Sequence, residues 1–159
     1  MKRVKVIVAV SNDKWNRPLA AQYESVKCPD TEITVVNLER GPESIEAFYD
    51  EAFAEPFVVQ EVETAAAEGF DGVIIYCFGN PGLYASRETV KIPVVGIGEA
   101  ALKLAAILGH RLSVIVELPH TVPRVWRTLK LMGLTEKVAS VCSADIPVLE
   151  MDQPERLRS

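Results

Sequence analysis

At 159 residues the chain is the size of one domain or two very small ones, and 48% hydrophobic against 25% charged residues is an ordinary globular balance. Seventeen Lys and Arg against 22 Asp and Glu give a net charge of −5 with neutral histidines. No Lys/Arg run occurs, so no nucleic-acid partner is expected, and the closing PERLRS reads as a solvated tail. The opening MKRVKVIVAV places basic residues before an apolar run, but Val4–Val10 is short, interrupted by Lys5 and β-branched, which reads as a strand rather than a leader. No segment approaches the roughly 20 apolar residues of a membrane span, so a cytoplasmic protein without membrane contact is expected. Cys28, Cys77 and Cys142 are widely spaced with no CxxC, and His110 and His120 lack ligand spacing; neither a disulfide framework nor a metal is expected.

Strand and helix signals alternate along the chain, the pattern of an α/β fold with a parallel sheet flanked by helices. Strands are expected at Val4–Val10, Glu32–Leu38, Val73–Cys77, Pro93–Ile97, Leu112–Glu117 and Val138–Cys142. The run at Val73–Cys77 does not alternate, which suits a strand covered on both faces. Helices are expected at Pro18–Val26, Ile45–Gly69 with Pro56 breaking or kinking it, Pro81–Val90, Glu99–Leu108 and Val122–Met132. Gly109 and Gly133 follow the last two as stops. The order strand, helix, strand at the start recurs from Leu112, which divides the chain into a first α/β part, 1–109, and an incomplete second part, 110–159.

Chemistry-bearing residues collect where these strands end, the edge at which open α/β sheets place their ligands. In VIIYCFGNPGL, Cys77 closes an apolar strand, Asn80 suits an N-cap and Pro81 a first helical position. A helix N-terminus there would favour the thiolate and lower the thiol pKa. A small buried core cysteine is the alternative. Gly96-x-Gly98-x-x-Ala101 follows a strand and opens a helix, and Glu117 lies 21 residues after Gly96, which copies a dinucleotide-binding fingerprint. Glu99, however, would face the pyrophosphate in that turn. Tight strand–helix packing, or a turn lining the same pocket as Cys77, are the other readings. His120 and Thr121 in ELPHTVPRVW stand at the same edge, His120 as a proton-transfer group, an anion contact or an idle loop residue. Ser11 and Asn12 in VSNDKW either hold a polar ligand or cap the next turn.

Taken together, ERGPESIEAFYDEAF, AAAEGFDGVIIYCFGNPGL, IPVVGIGEAAL, HTVPRVWRTL and SADIPVLE resemble the Asp/Glu/hydantoin racemase family, and within it the hydantoin and allantoin racemase branch. The resemblance runs from the first strand to about Glu150. It implies two flavodoxin-like α/β halves around a pocket and a cofactor-independent racemase. In it, two cysteines on opposite faces of the stereocentre take and return the α-proton. Cys77 matches the first cysteine. Phe78, Gly79 and Asn80 match its pocket loop, where the branch often has Asp for Asn. Gly98 and Glu99 match the turn beside the pocket, and Asn12 the polar residue after the first strand. The amides of Gly79 and Asn80, with Asn12, are then the expected stabilisers of the enolate. The implied substrates are 5-substituted hydantoins, allantoin or a related small amide.

Three departures accompany the match. VSN, with Val10 first, replaces an Asn-Pro-Asn after the first strand. Val116 and Glu117 replace hydroxyl residues, and a carboxylate there would disfavour an anionic substrate. The second cysteine belongs near the end of a later strand than the one carrying Cys142. The sequence therefore leaves several readings open: a piece of a longer racemase, a relative that binds a small molecule without racemising it, or a homo-oligomer whose second acid is His120 or Cys142 of this chain or a neighbour. A nucleotide-binding module built on GIGEAA is a further alternative.

Overall fold

The computed structural model describes residues 1–151 and residue 153, so the PERLRS tail lies outside the described residues. Four strands form one parallel sheet: β1 (Lys2–Val8), β2 (Thr31–Asn37), β3 (Gly72–Tyr76) and β4 (Val94–Gly96), in the order β2-β1-β3-β4. Parallel pairing requires crossovers, and these are α1 (Asn16–Val26), α2 (Phe48–Ala67) and α3 (Leu83–Thr89). After α4 (Ile97–Leu108), β5 (Leu112–Val116) and β6 (Val138–Ser143) pair in parallel as a second sheet, linked by α5 (Val122–Leu131). Among the described residues no helix is long and apolar enough to cross a membrane.

Hydrophobic periodicity explains both cores. On α2, Ala54, Val58, Val62 and Ala65 recur at helical spacing and are fully buried against Ile7, Val73 and Ile75 of the sheet. This face carries the helix through Pro56, so the expected break is absent. Pro56 and Ala52, whose carbonyl Pro56 cannot partner, are both exposed, so the carbonyl left without its helical bond is open to solvent. Lys5, the polar interruption in β1, is buried and donates from Nζ to Glu61 and Glu68, each at 2.8 Å. A second core gathers Leu102 of α4, Val114 and Val116 of β5, Val125 and Leu129 of α5 and Val138 of β6.

Register aligns the strand ends. Val8 stands opposite both Asn37 and Tyr76, Gly96 opposite Ile75, and Val116 opposite Ser143. The carboxyl edge of each sheet is thus a single row of residues, and the loops leaving it carry the site.

Two neighbouring leucines of α5 provide a test. Leu129 is fully buried whereas Leu131 is 74% exposed. Leu129→Ala should lower unfolding free energy by about 2–5 kcal/mol, and Leu131→Ala by less than about 0.5 kcal/mol. Urea denaturation followed by tryptophan fluorescence reads both.

Candidate active site

Strand β3 ends at Tyr76, and Cys77 is the next residue. The loop that follows is tight: the Asn80 amide donates to the Cys77 carbonyl at 3.1 Å and the Leu83 amide to the Asn80 carbonyl at 3.2 Å. Asn80 (φ 56°) and Gly82 (φ 66°) are both left-handed. Asn80 is accordingly not the expected N-cap and Pro81 not the first helical residue; Gly82 flanks a helix that starts at Leu83. The left-handed turn instead carries the Asn80 side chain to α4, where Oδ1 accepts the Glu99 amide at 3.1 Å. Its Nδ2 donates to the Phe78 carbonyl at 3.0 Å.

Gly96 and Gly98 make this docking possible. A Cβ on Gly98 would lie 1.9 Å from the Phe78 carbonyl oxygen, and one on Gly96 would lie 2.3 Å from Asn80 Oδ1. The glycine pattern therefore serves close packing of the Cys77 loop on α4, and the amide of Glu99 is taken by Asn80. The Glu99 carboxylate accepts from Arg87 Nη2 and Lys103 Nζ, each at 2.7 Å, and these two cations hold it below its ordinary pKa.

A cavity of about 440 Å³ opens between the two sheets. Val8, Tyr76, Cys77 and Phe78 line it from the first sheet and its loops, Ile115 and Val116 from the second. The chain after β6 crosses back over the first sheet's loops. The Ile146 amide donates to the Glu117 carbonyl at 2.9 Å, the Val148 amide to Glu46 Oε1 at 2.9 Å, and Lys14 Nζ to the Leu149 carbonyl at 2.7 Å. Val148 and Met151 thereby join Trp15 and Ile45 as an apolar end of the cavity.

Electrostatics at the thiol differ from the expectation. Burial pushes the Cys77 thiol up to about 11, against the Gly79 amide that donates to its sulfur and the nearby Arg124 cation; Glu51 and Glu117 push it further up. The helix-dipole argument fails because α3 starts six residues beyond Cys77 and is only 7 residues long, while desolvation disfavours the charged form directly. The Gly79 amide is turned to Cys77 and the Asn80 amide to the Cys77 carbonyl, so neither is directed at an enolate. Glu117 does not stand as a lone negative charge in the wall: its Oε1 accepts from Arg124 Nη2 at 3.1 Å.

Phe78 and Gly79 join Cys77 at the large cavity. Asn80 and Glu99 line a second space of about 260 Å³ on the far side of Gly79 and Arg124, which border both. Gly98 lies beneath the loop. Asn12 lines neither cavity; its Nδ2 donates to the Glu43 carbonyl and its Oδ1 accepts the Lys14 amide at 3.2 Å, while Ser11 Oγ donates to the Pro42 carbonyl at 3.2 Å. Thr121 is buried and its hydroxyl is bonded to the Leu118 backbone; His120 is exposed, as are Cys28 and Cys142. Sequence reasoning missed Glu51 and Arg124. Arg124 falls within the buried stripe Thr121, Val125, Leu129 of ELPHTVPRVWRTL, and a charge on such a stripe signals a buried ion pair.

Residues 6–159 match the family model for Asp/Glu/Hydantoin racemase. This chain belongs to that family. Among curated relatives of this racemase-family chain, the hydantoin racemase of Rhizobium meliloti is 37% identical over 82% of the chain, and that of Pseudomonas sp. (strain NS671) 32% identical over 95%. The structure superposes on allantoin racemase from Klebsiella pneumoniae with a TM-score of 0.94 at 34% identity, over 99% of this chain and 64% of that one. The chain spans 55% and 61% of the length of the two curated relatives.

Gly98→Ala should destabilise the chain by about 1–3 kcal/mol, because the Phe78 carbonyl must move to admit the methyl group. Gly72→Ala, whose Cβ would meet nothing nearer than 3.5 Å, should be much better tolerated. Denaturant midpoints of the two variants check the contrast.

Proposed function

We propose that this chain carries the Cys77 side of a cofactor-independent racemase for 5-substituted hydantoins, allantoin or a related small amide. The observation that supports it most is the position of Cys77, on the wall of a cavity that β5 closes from the other side, in a chain of the Asp/Glu/hydantoin racemase family. In this reading residues 1–109 supply the thiol, and the described residues from 110 on supply the facing wall through Ile115, Val116 and Glu117.

The chemistry follows from the carbon acid. The substrate's stereocentre bears a hydrogen beside a carbonyl; the Cys77 thiolate takes the proton, the C–H electron pair moves into the carbonyl, and an enolate forms. Return of a proton to the opposite face inverts the centre. With its conjugate acid pushed up to about 11 by burial, the thiolate is a strong base but a minor species at neutral pH. Activity should therefore rise about tenfold per pH unit from neutrality. His120 and Cys142 are exposed and are not among the residues lining this cavity, which supports drawing the opposite-face acid from a neighbouring copy in a homo-oligomer. A binder that does not racemise is the second reading, and the raised thiol pKa favours it.

The test is deuterium exchange at C5 of an enantiopure 5-substituted hydantoin in D2O, followed by proton NMR. Cys77→Ala should slow enzymatic exchange by about a hundredfold or more. Exchange unchanged by that substitution would overturn the proposal. Hydantoin binding without any exchange above the buffer blank would replace it with the binder.

A further inference from the structure

Three side chains the sequence did not single out as a group meet beside the Cys77 loop. Arg124 of α5 donates from Nη1 to Glu51 Oε2 on α2 at 3.1 Å and from Nη2 to Glu117 Oε1, just past β5, at 3.1 Å. The three side chains are only 8%, 20% and 14% exposed. The guanidinium fork thus joins a helix of the first sheet to the strand end of the second, across the partition between the two cavities. The pairing is packed directly on the thiol's own loop: a Cβ on Gly79 would sit 3.0 Å from Glu51 Oε2 and 3.4 Å from Arg124 Nη1, and it is the Gly79 amide that donates to the Cys77 sulfur.

One cation holds two carboxylates here. With all three ionised, the group carries a net charge of one negative, largely out of water, where charge is poorly screened. Glu55 on α2 and Arg127 on α5 are the flanking charges that act on Glu51, and Arg127 rests over the ring of Phe48 at 5.7 Å. The groups that act on the sulfur are the Gly79 amide, Arg124, Glu51 and Glu117.

We propose that Arg124 is the positioning residue of this site: by holding Glu51 and Glu117 to itself it fixes the wall behind the Cys77 loop and sets the charge that the sulfur meets. Arg124 touches no reacting atom in this role. It acts through the two carboxylates and the Gly79 backbone. The geometry stands whatever the substrate is; only its consequence for proton transfer rests on the racemase reading.

Alkylation of Cys77 by iodoacetamide, a neutral reagent, tests this without any substrate. The protein carries Cys28→Ser and Cys142→Ser so that one thiol reports, and rates are taken from pH 7 to pH 10, where they follow the thiolate fraction. Glu117→Gln and Glu51→Gln remove a negative charge and should each raise the rate at fixed pH by at least about threefold. Arg124→Gln removes the positive charge and should lower it by at least about threefold. Mere loosening of the fold would speed alkylation in all three. Should Arg124→Gln not fold, Arg124→Gln/Glu117→Gln removes one charge of each sign and should alkylate more slowly than Glu117→Gln alone. Opposite signs for the carboxylate and arginine variants support the proposal. Changes of the same sign, or rates unchanged in all variants, overturn it. Because no hydantoin is present, a failure here leaves the exchange experiment to decide the racemase reading by itself.

Discussion

The site depends on one steric constraint: the Cys77 loop packs so closely on the entry to α4 that neither Gly96 nor Gly98 has room for a side chain. Gly98 meets the Phe78 carbonyl, Gly96 meets the Asn80 amide group, and Asn80 accepts the Glu99 amide in the first turn of that helix. Each contact fixes the next. The left-handed turn at Asn80 is tolerated because Asn is one of the few residues that adopt it at low cost, and its side chain is then aimed at α4. With the loop held there, Cys77 is left on the opposite side, against the cavity between the sheets.

Charge is the second determinant, and it works against simple intuition. A cysteine at a strand end before a helix suggests an activated thiolate. Here burial outweighs the single amide and the single cation that favour ionisation, and two carboxylates oppose it. The carboxylates are in turn held by Arg124. Removing one partner of such a buried set leaves another charge uncompensated, so the cluster links the two sheets and tunes the sulfur through the same bonds.

Much of the fold was legible. Apolar runs and amphipathic helical spacing give the six strands and five main helices seen among the described residues, since the periodicity follows from which faces are buried. The bounds differ by a few residues where loop chemistry decides: Pro81 looks like a helix start, but the positive φ at Gly82 delays the helix to Leu83. Pro56 looks like a break, but a fully buried face holds α2 together across it. At the site, the motifs pointed to Cys77, Phe78 and Gly79, which the structure brings to one cavity. Asn12 and Thr121 instead spend their polar atoms on neighbouring backbone, which no spacing rule reveals. The pairing of Glu51 with Arg124 joins residues 73 apart, a contact that only the tertiary fold brings about.

In the proposed racemase reading, the cavity between the two sheets presents Cys77 to a substrate's stereocentre. A crystal structure of the chain soaked with an enantiopure 5-substituted hydantoin tests it most directly. The expected result is a ligand in the 440 Å³ cavity with its C5 about 3–3.5 Å from the Cys77 sulfur, within reach for proton transfer. A ligand seated instead in the space beyond Arg124, against Glu55 and Leu131, would contradict the claim.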